Sequence, residues 1–340
     1  MTANVALLGY GLAGSMFHAP FIATTPGLRL SMVVTANDER RAQAVRDHPG
    51  VEVVGTADEV WERAAELDLA VVATPNKSHL PLGLAALEAG LAVVVDKPLA
   101  LNAAEARSLV DAAAERGLMV SAFQNRRWDG DFLTLRKLLD ANELGRVHRF
   151  ESRFERWRPD LGDGWRERTP PEEGGGLLLD LGSHLVDQAV QLFGPVRELY
   201  AEVEARREGA VADDDVFLAL DHESGVHSHL WATVLAADPG PRFRVLGDGA
   251  AFVKHGLDVQ EEQLRTGRAP TDPGWGEEPR ERWGRVVTGD EQREVPTEPG
   301  SYPSFYSGVA ASLNDGAPPP VDPRDAVAVL ELLDEARAPG

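Results

Sequence analysis

The sequence predicts an α/β chain in two parts, a helix-flanked parallel sheet followed by an α+β domain with a large, mostly antiparallel open sheet. Three observations predict it. Short apolar runs alternate with helix-like stretches over roughly the first 120 residues, the pattern of βαβ units. A glycine-rich turn follows the first run directly. Later in the chain, strand patterns of period two follow one another with short polar links.

In order, apolar runs at Val5–Leu8, Leu30–Val34, Leu69–Ala73, Leu91–Val95 and Met119–Phe123 read as strands covered on both faces. Helix-like stretches lie at Ala57–Glu66, Leu80–Ala89 and Ala103–Arg116, the last two closed by Gly90 and Gly117. Phe132–Asn142 reads as helix and Val147–Trp157 as extended. Gly174-Gly175-Gly176 precedes a helical pattern over Asp180–Leu192 that Gly194-Pro195 ends. Leu199, Ala201, Val203 and Ala205 alternate with polar neighbours, and further strands follow at Val216–Leu220, Val226–Trp231, Arg242–Leu246 and Ala250–Lys254. Asp248-Gly249 marks a hairpin between the last two. Residues 256–300, rich in Pro, Gly and charge, read as a long excursion, and two helices near Ser304–Leu313 and Pro323–Arg337 finish the chain. The expected division is a first domain over 1–122 and a second over 123–340, with the closing helix near 323–337 packing back on the first.

Composition narrows the chemistry. The 340 residues are 43% hydrophobic and 26% charged, ordinary for a chain that buries a core. There is no cysteine, so disulfides, thiolate nucleophiles and cysteine-ligated metals drop out, in keeping with a reducing compartment. A net charge of −21 repels a nucleic-acid backbone, and basic clusters such as Arg126-Arg127 are short and flanked by acids. No apolar run approaches the roughly 20 residues that span a bilayer, and the opening residues lack a signal-peptide pattern. The expectation is a cytoplasmic protein with no nucleic-acid or membrane partner.

Gly9, Gly11 and Gly14 form G-x-G-x-x-G between a strand and a helix-like stretch, with Leu12 and Ala13 inside the turn. The first glycine permits the turn, the second lets backbone approach a pyrophosphate, and the third brings helix and strand close. This context reads as a Rossmann dinucleotide-binding domain. An acid at the end of the second strand would bind a ribose 2′-hydroxyl. Here Thr35, Ala36 and Asn37 come first, then Asp38, then Arg40 and Arg41, a set suited to a 2′-phosphate. NADP is therefore expected over NAD. The alternative is that the two arginines are solvated helix residues.

Lys97 and Pro98 follow Asp96 at the carboxyl end of a strand, where ligands of such sheets sit. A lysine there can hydrogen-bond a reacting oxygen and stabilise alkoxide charge. Asp180, His184 and Asp187 share one helix face by spacing. A histidine is suited to take a hydroxyl proton, and Asp180 can orient it or bind a substrate hydroxyl. Taken singly, Asp180 reads better as a helix cap and His184 better as a core histidine. A metal site on Asp180, His184 and Asp187 is the rival reading, but no metal-binding motif accompanies it and none is expected.

Together these residues resemble the Gfo/Idh/MocA family of sugar and inositol dehydrogenases. The resemblance runs through Gly9 to Gly14, Ala73-Thr74-Pro75-Asn76 with His79, Asp96-Lys97-Pro98 and Asp180-Leu181-Gly182-Ser183-His184. Phe17-His18-Ala19-Pro20 and Asn125-Arg126-Arg127-Trp128-Asp129 look like a subgroup that includes NADP-dependent scyllo-inositol dehydrogenases. It implies a catalytic set of Lys97, Asp180 and His184, with His184 as acid/base. It further implies that Thr74, Pro75, Asn76 and His79, with Lys97 and Pro98, line the cofactor toward its nicotinamide end. The family usually has Glu-Lys-Pro where this chain has Asp96. The resemblance implies a homodimer or homotetramer formed through the open sheet. Asn125, Arg126 and Trp128 are candidate contacts for a sugar or polyol, and they read equally as arginines paired with Asp129 and Asp131 around a core tryptophan. Two other classes stay open, a nicotinamide-sensing regulator without chemistry, and a lyase or hydrolase that uses tightly held NAD.

Overall fold

The computed structural model describes residues 2–162 and 164–338, which form two compact units. The first takes in the chain up to Asn125 together with Glu262–Trp275 and Tyr302–Ala328; the second takes in Arg126–Glu261, Gly276–Ser301 and the chain from Val329.

The first unit is built on a parallel sheet of six strands: β1 Ala3–Leu8, β2 Leu28–Val34, β3 Glu52–Val54, β4 Leu69–Val72, β5 Ala92–Asp96 and β6 Val120–Phe123. Their order is β3-β2-β1-β4-β5-β6, so the direction of winding reverses between β1 and β4. Those central strands are buried from Val5 to Leu8 and from Leu69 to Val72, and burying each valine or leucine side chain among them contributes about 1.5–3 kcal/mol. The predicted strands are present. The sequence reading lacks β3, because Glu52-Val53-Val54 is too short for an apolar run.

The helices follow local signals. Ala103–Arg116 starts where Asn102 accepts the Glu105 amide at 2.9 Å and stops at Gly117, whose φ of 64° is left-handed. The helix expected over 57–66 breaks into Asp58–Trp61 and a single turn at Ala64–Glu66. Between Ala57 and Glu66 only Val60 is buried, so no apolar stripe sustains a longer helix. Pro303–Asp315 belongs to the first unit, where Phe305 meets Phe123 edge-on, and the Val321 backbone exchanges hydrogen bonds with the Ser121 hydroxyl.

The second unit carries β7 Val147–Glu155, β8 Val196–Glu204, β9 Asp215–His222, β10 His227–Thr233, β11 Phe243–Gly247, β12 Ala251–Lys254, β13 Gly284–Thr288 and β14 Glu291–Val295. The order is β14-β13-β12-β11-β7-β10-β9-β8, and among the described residues β7 with β10 is the one parallel pair of this sheet. One face buries Phe150, Phe154, Leu218, Leu230, Phe243 and Phe252, with the helix Ser183–Phe193 packed against β7 and β10. On the other face Tyr200, Phe217, His229 and Trp231 form an aromatic ladder; Tyr200 is 58% exposed, and the Arg153 guanidinium lies 3.9 Å over Trp231.

The stretch 256–300, read as a long excursion, instead holds a helical turn at Gln260–Arg265 and the β13–β14 hairpin that extends the sheet. Its charges hid it. Glu291 to Glu294 are all exposed, as befits an edge strand that charge protects from further pairing.

Candidate active site

In the first unit the candidates follow the carboxyl ends of β1, β2, β4, β5 and β6, and those after β1 and β4 flank the reversal of the sheet. The three glycines after β1 have different reasons. Gly9 has a φ of 98°, and a Cβ there would fall 2.6 Å from the Ala73 carbonyl oxygen. A Cβ on Gly14 would fall 2.0 Å from the Gly9 oxygen. The fold itself demands both. A Cβ on Gly11 would meet nothing nearer than Arg40 Nη1, at 3.9 Å. Backbone is bare there with a guanidinium beside it, and the loop fits a dinucleotide phosphate on these grounds. Leu12 is exposed and Ala13 opens the helical turn that follows.

After β2, Thr35 is buried and its hydroxyl accepts the Asn37 amide. Asn37 caps the helix Asp38–Asp47 by accepting the Arg40 amide at 2.9 Å. The adjacent arginines part company. Arg41 donates to the Val53 carbonyl of β3, whereas exposed Arg40 reaches toward Gly11.

Past β4 and β5, His79 is 1% exposed and joins two turns: Nδ1 lies 2.8 Å from the Pro98 carbonyl and Nε2 2.9 Å from that of Thr74. Burial pushes its pKa down, against the pull of the Asp96 carboxylate. Ser78 donates to the Thr74 hydroxyl at 2.7 Å, and Asn76 is buried next to exposed Pro75. Asp96 Oδ1 accepts the Lys97 amide at 2.8 Å, and the Lys97–Pro98 peptide is cis. Burial alone would raise the Asp96 carboxyl; His18, Lys97 and His79 outweigh it and hold it below its ordinary value.

In the second unit, Asp180 sits on the wide turn Leu178–Gly182 and His184 in the first turn of Ser183–Phe193. Asp213 shapes the entry: its Oδ2 accepts the Leu178 amide at 2.6 Å, and Gly176 leaves room for it, since a Cβ there would lie 2.0 Å from Asp213 Oδ1. Burial pushes the Asp213 carboxyl up. His184 is 3% exposed, its ring inclined to Phe154 at 6.5 Å. Half-buried Asp180 lines a cavity with Glu167, Leu177, Arg207, Asp213 and Val234. Buried Arg207 ties this wall together, bonding Asp214, Glu167 and the carbonyls of Arg158 and Asp160.

The structure separates Asp187 from the other two. Arg127 holds it in a bidentate pair. Among the described residues no group of three or more His, Asp or Glu is placed to hold a metal. Arg126 bonds Asp129 at 3.2 Å and Glu261 at 3.4 Å and lies over Phe154, whose ring Arg242 also covers. Asn125 is buried, and the Trp128 carbonyl accepts from Gln260 and Ser301. The sequence reading missed Arg156. Burial lowers its guanidinium, and Glu261, Arg126, Arg158 and Asp180 all act on it. Its signal lay in the period-two continuation of β7 past Phe154.

Known proteins match this chain along its length. The family described as "Oxidoreductase family, NAD-binding Rossmann fold" matches residues 3–124, and the GFO/IDH/MocA C-terminal domain matches 132–253. The uncharacterized oxidoreductase YdgJ of Escherichia coli (strain K12) is 41% identical over 97% of this chain and 94% of its own. The scyllo-inositol 2-dehydrogenase (NADP(+)) IolW of Bacillus subtilis (strain 168) is 35% identical over 98% and 93%. The solved oxidoreductase yvaA from Bacillus subtilis superposes with a TM-score of 0.93 at 35% identity, covering 98% of this chain and 95% of that one.

Proposed function

The chain belongs to the GFO/IDH/MocA family of NAD(P)-binding oxidoreductases, and on that premise we propose that it moves a hydride between NADP and a hydroxyl or ketone of a sugar or inositol-like polyol. The observation that carries the chemistry is the division of labour along 180–187. Arg127 holds Asp187 in a bidentate pair, whereas Asp180 lines the cavity bounded by Glu167, Arg207 and Asp213, and His184 follows one helical turn along the chain. The inositol dehydrogenase relative supports the substrate class.

A bound nicotinamide supplies or accepts the hydride. His184 takes the hydroxyl proton as the alcohol is oxidised and returns it to the ketone oxygen in reverse. The Lys97 ammonium donates to the reacting oxygen and stabilises its developing charge, while Asp180 accepts from a substrate hydroxyl or steadies the imidazole. The loop Gly9 to Gly14 would hold the pyrophosphate, Thr35, Asn37 and Arg40 the phosphorylated ribose, and Thr74, Pro75, Asn76 and His79 the nicotinamide end, His79 by bracing the two turns from behind. Asn125, Arg126, Trp128 and Arg156 are proposed to shape the polyol pocket. The same reading includes a cytoplasmic location and a homodimer or homotetramer that covers the aromatic ladder of the second sheet.

The test is fluorescence titration of the purified protein with NADPH and NADH, followed in the same cuvette by inositols and aldoses. Tighter NADPH binding with turnover of a polyol is the expected result. Tight NADH binding overturns the cofactor preference, and cofactor binding with no turnover across the panel overturns the substrate class.

A further inference from the structure

His18 is 0% exposed, at the end of the turn that follows the glycine loop. Its ring packs on Phe123 at 4.4 Å, and its Nδ1 lies 2.6 Å from the Tyr306 hydroxyl. Its other nitrogen, Nε2, is buried with no hydrogen-bond partner and lies 3.8 Å from Asp96 Oδ1. A buried imidazole between a phenol and a carboxylate is a costly arrangement to keep for packing alone. Asp96 Oδ1 is also the atom that accepts the Lys97 amide.

We propose that His18 is a positioning residue for Lys97: Tyr306 donates to Nδ1, the imidazole proton stays on Nε2 and faces Asp96, and the Asp96 carboxylate so held fixes the Lys97 backbone and balances its ammonium. The inference rests on the reading of Lys97 as catalytic. Its direction comes from Asp96. An ionised carboxylate only accepts, so the nitrogen facing it at 3.8 Å, Nε2, carries the proton of the neutral ring. Nδ1 is then the acceptor, and the Tyr306 hydroxyl donates to it. The charged and titratable groups around the pair are Tyr306 from Pro303–Asp315, Asp96 and Lys97 at the end of β5, and His79, the first residue of the helix His79–Glu88. Among them, His18, Lys97 and His79 favour the ionised Asp96. Removing His18 therefore makes Asp96 easier to protonate, and the acid limb of turnover moves to higher pH.

The experiment combines His18→Leu, His18→Gln and Tyr306→Phe with nitrogen-15 NMR of the imidazoles in the full chain. Wild-type His18 is expected as the Nε2–H tautomer, and Tyr306→Phe is expected to keep it. His18→Leu should lower kcat about 10-fold to 100-fold, as misplacement of a catalytic group by about 1 Å does. NADPH affinity should stay within about twofold, and the acid limb should move up. His18→Gln, whose amide nitrogen can take the place of Nε2–H, should recover most of the rate. A His18→Leu protein with the wild-type pH profile and kcat overturns the inference, as does an Nδ1–H tautomer. If the wild type turns over no polyol, the proposed substrate class fails by itself. The titration of carbon-13-labelled Lys97 then decides for His18, overturning its role if the curve is the same in wild type and His18→Leu.

Discussion

Arg127 grips Asp187 with two prongs, Nε to Oδ2 at 2.9 Å and Nη2 to Oδ1 at 2.6 Å. Both side chains are nearly buried, so either one left alone would be an uncompensated charge. Asp187→Asn should cost about 3–5 kcal/mol of stability, read as a lower Tm, with kcat per folded molecule unchanged. Asp180→Asn should do the reverse, holding Tm and lowering kcat about 10²–10⁴-fold. A stable Asp187→Asn protein without turnover would exchange the two roles.

The glycine loop offers a contrast within six residues. Gly11→Ala meets nothing nearer than 3.9 Å, so the protein should fold with its Tm intact yet lose NADPH binding, because the methyl occupies the space a phosphate needs. Gly14→Ala drives a Cβ to 2.0 Å from the Gly9 oxygen and should lower Tm outright. Thermal melts with and without NADPH separate the two, and a Gly11→Ala protein that still gains Tm from NADPH would contradict the assignment.

Arg40, and not Arg41, is expected to select the cofactor. A charged hydrogen bond contributes about 1.5–3 kcal/mol. Arg40→Ala should therefore weaken NADPH about 10-fold to 100-fold while leaving NADH nearly unchanged. Equal losses for both cofactors would show that Arg40 holds the shared phosphates.

Burial first, and Asp131 second, push the Asp258 carboxyl from 3.8 up to about 6, against the Gly130 and Gln260 amides that it accepts. An acid whose folded pKa is raised is at its most favourable below the unfolded value and loses stability as pH rises through the window between the two. The wild type should therefore lose stability relative to Asp258→Asn between about pH 4 and pH 6, then run parallel to it. The change is about 1–3 kcal/mol once solvent screening of this partly exposed group is counted. Urea melts of both proteins at several pH values measure it, and parallel curves throughout would show an unperturbed carboxyl.

What the sequence by itself determined is whatever is encoded within a turn or a strand. The parallel sheet could be read from its apolar runs, and the bounds of Ala103–Arg116 from Asn102 and Gly117. The phosphate loop was legible because a strand, three glycines and a helix adjoin in the chain. The β13–β14 hairpin was not, because exposed Glu291 to Glu294 erase the alternation that marks a strand. Tertiary structure alone decided between side chains that spacing treats as equals. Asp180 and Asp187 share a helix face by period, and only the arrival of Arg127 from 60 residues away locks Asp187 in a buried ion pair while Asp180 lines a cavity. Arg40 and Arg41 are neighbours, and only the pairing of β2 with β3 gives one of them a carbonyl and leaves the other beside Gly11. The physical reason is common to both. Backbone periodicity is local, whereas the partner of a buried charge is set by which distant segments the fold brings into hydrogen-bond range.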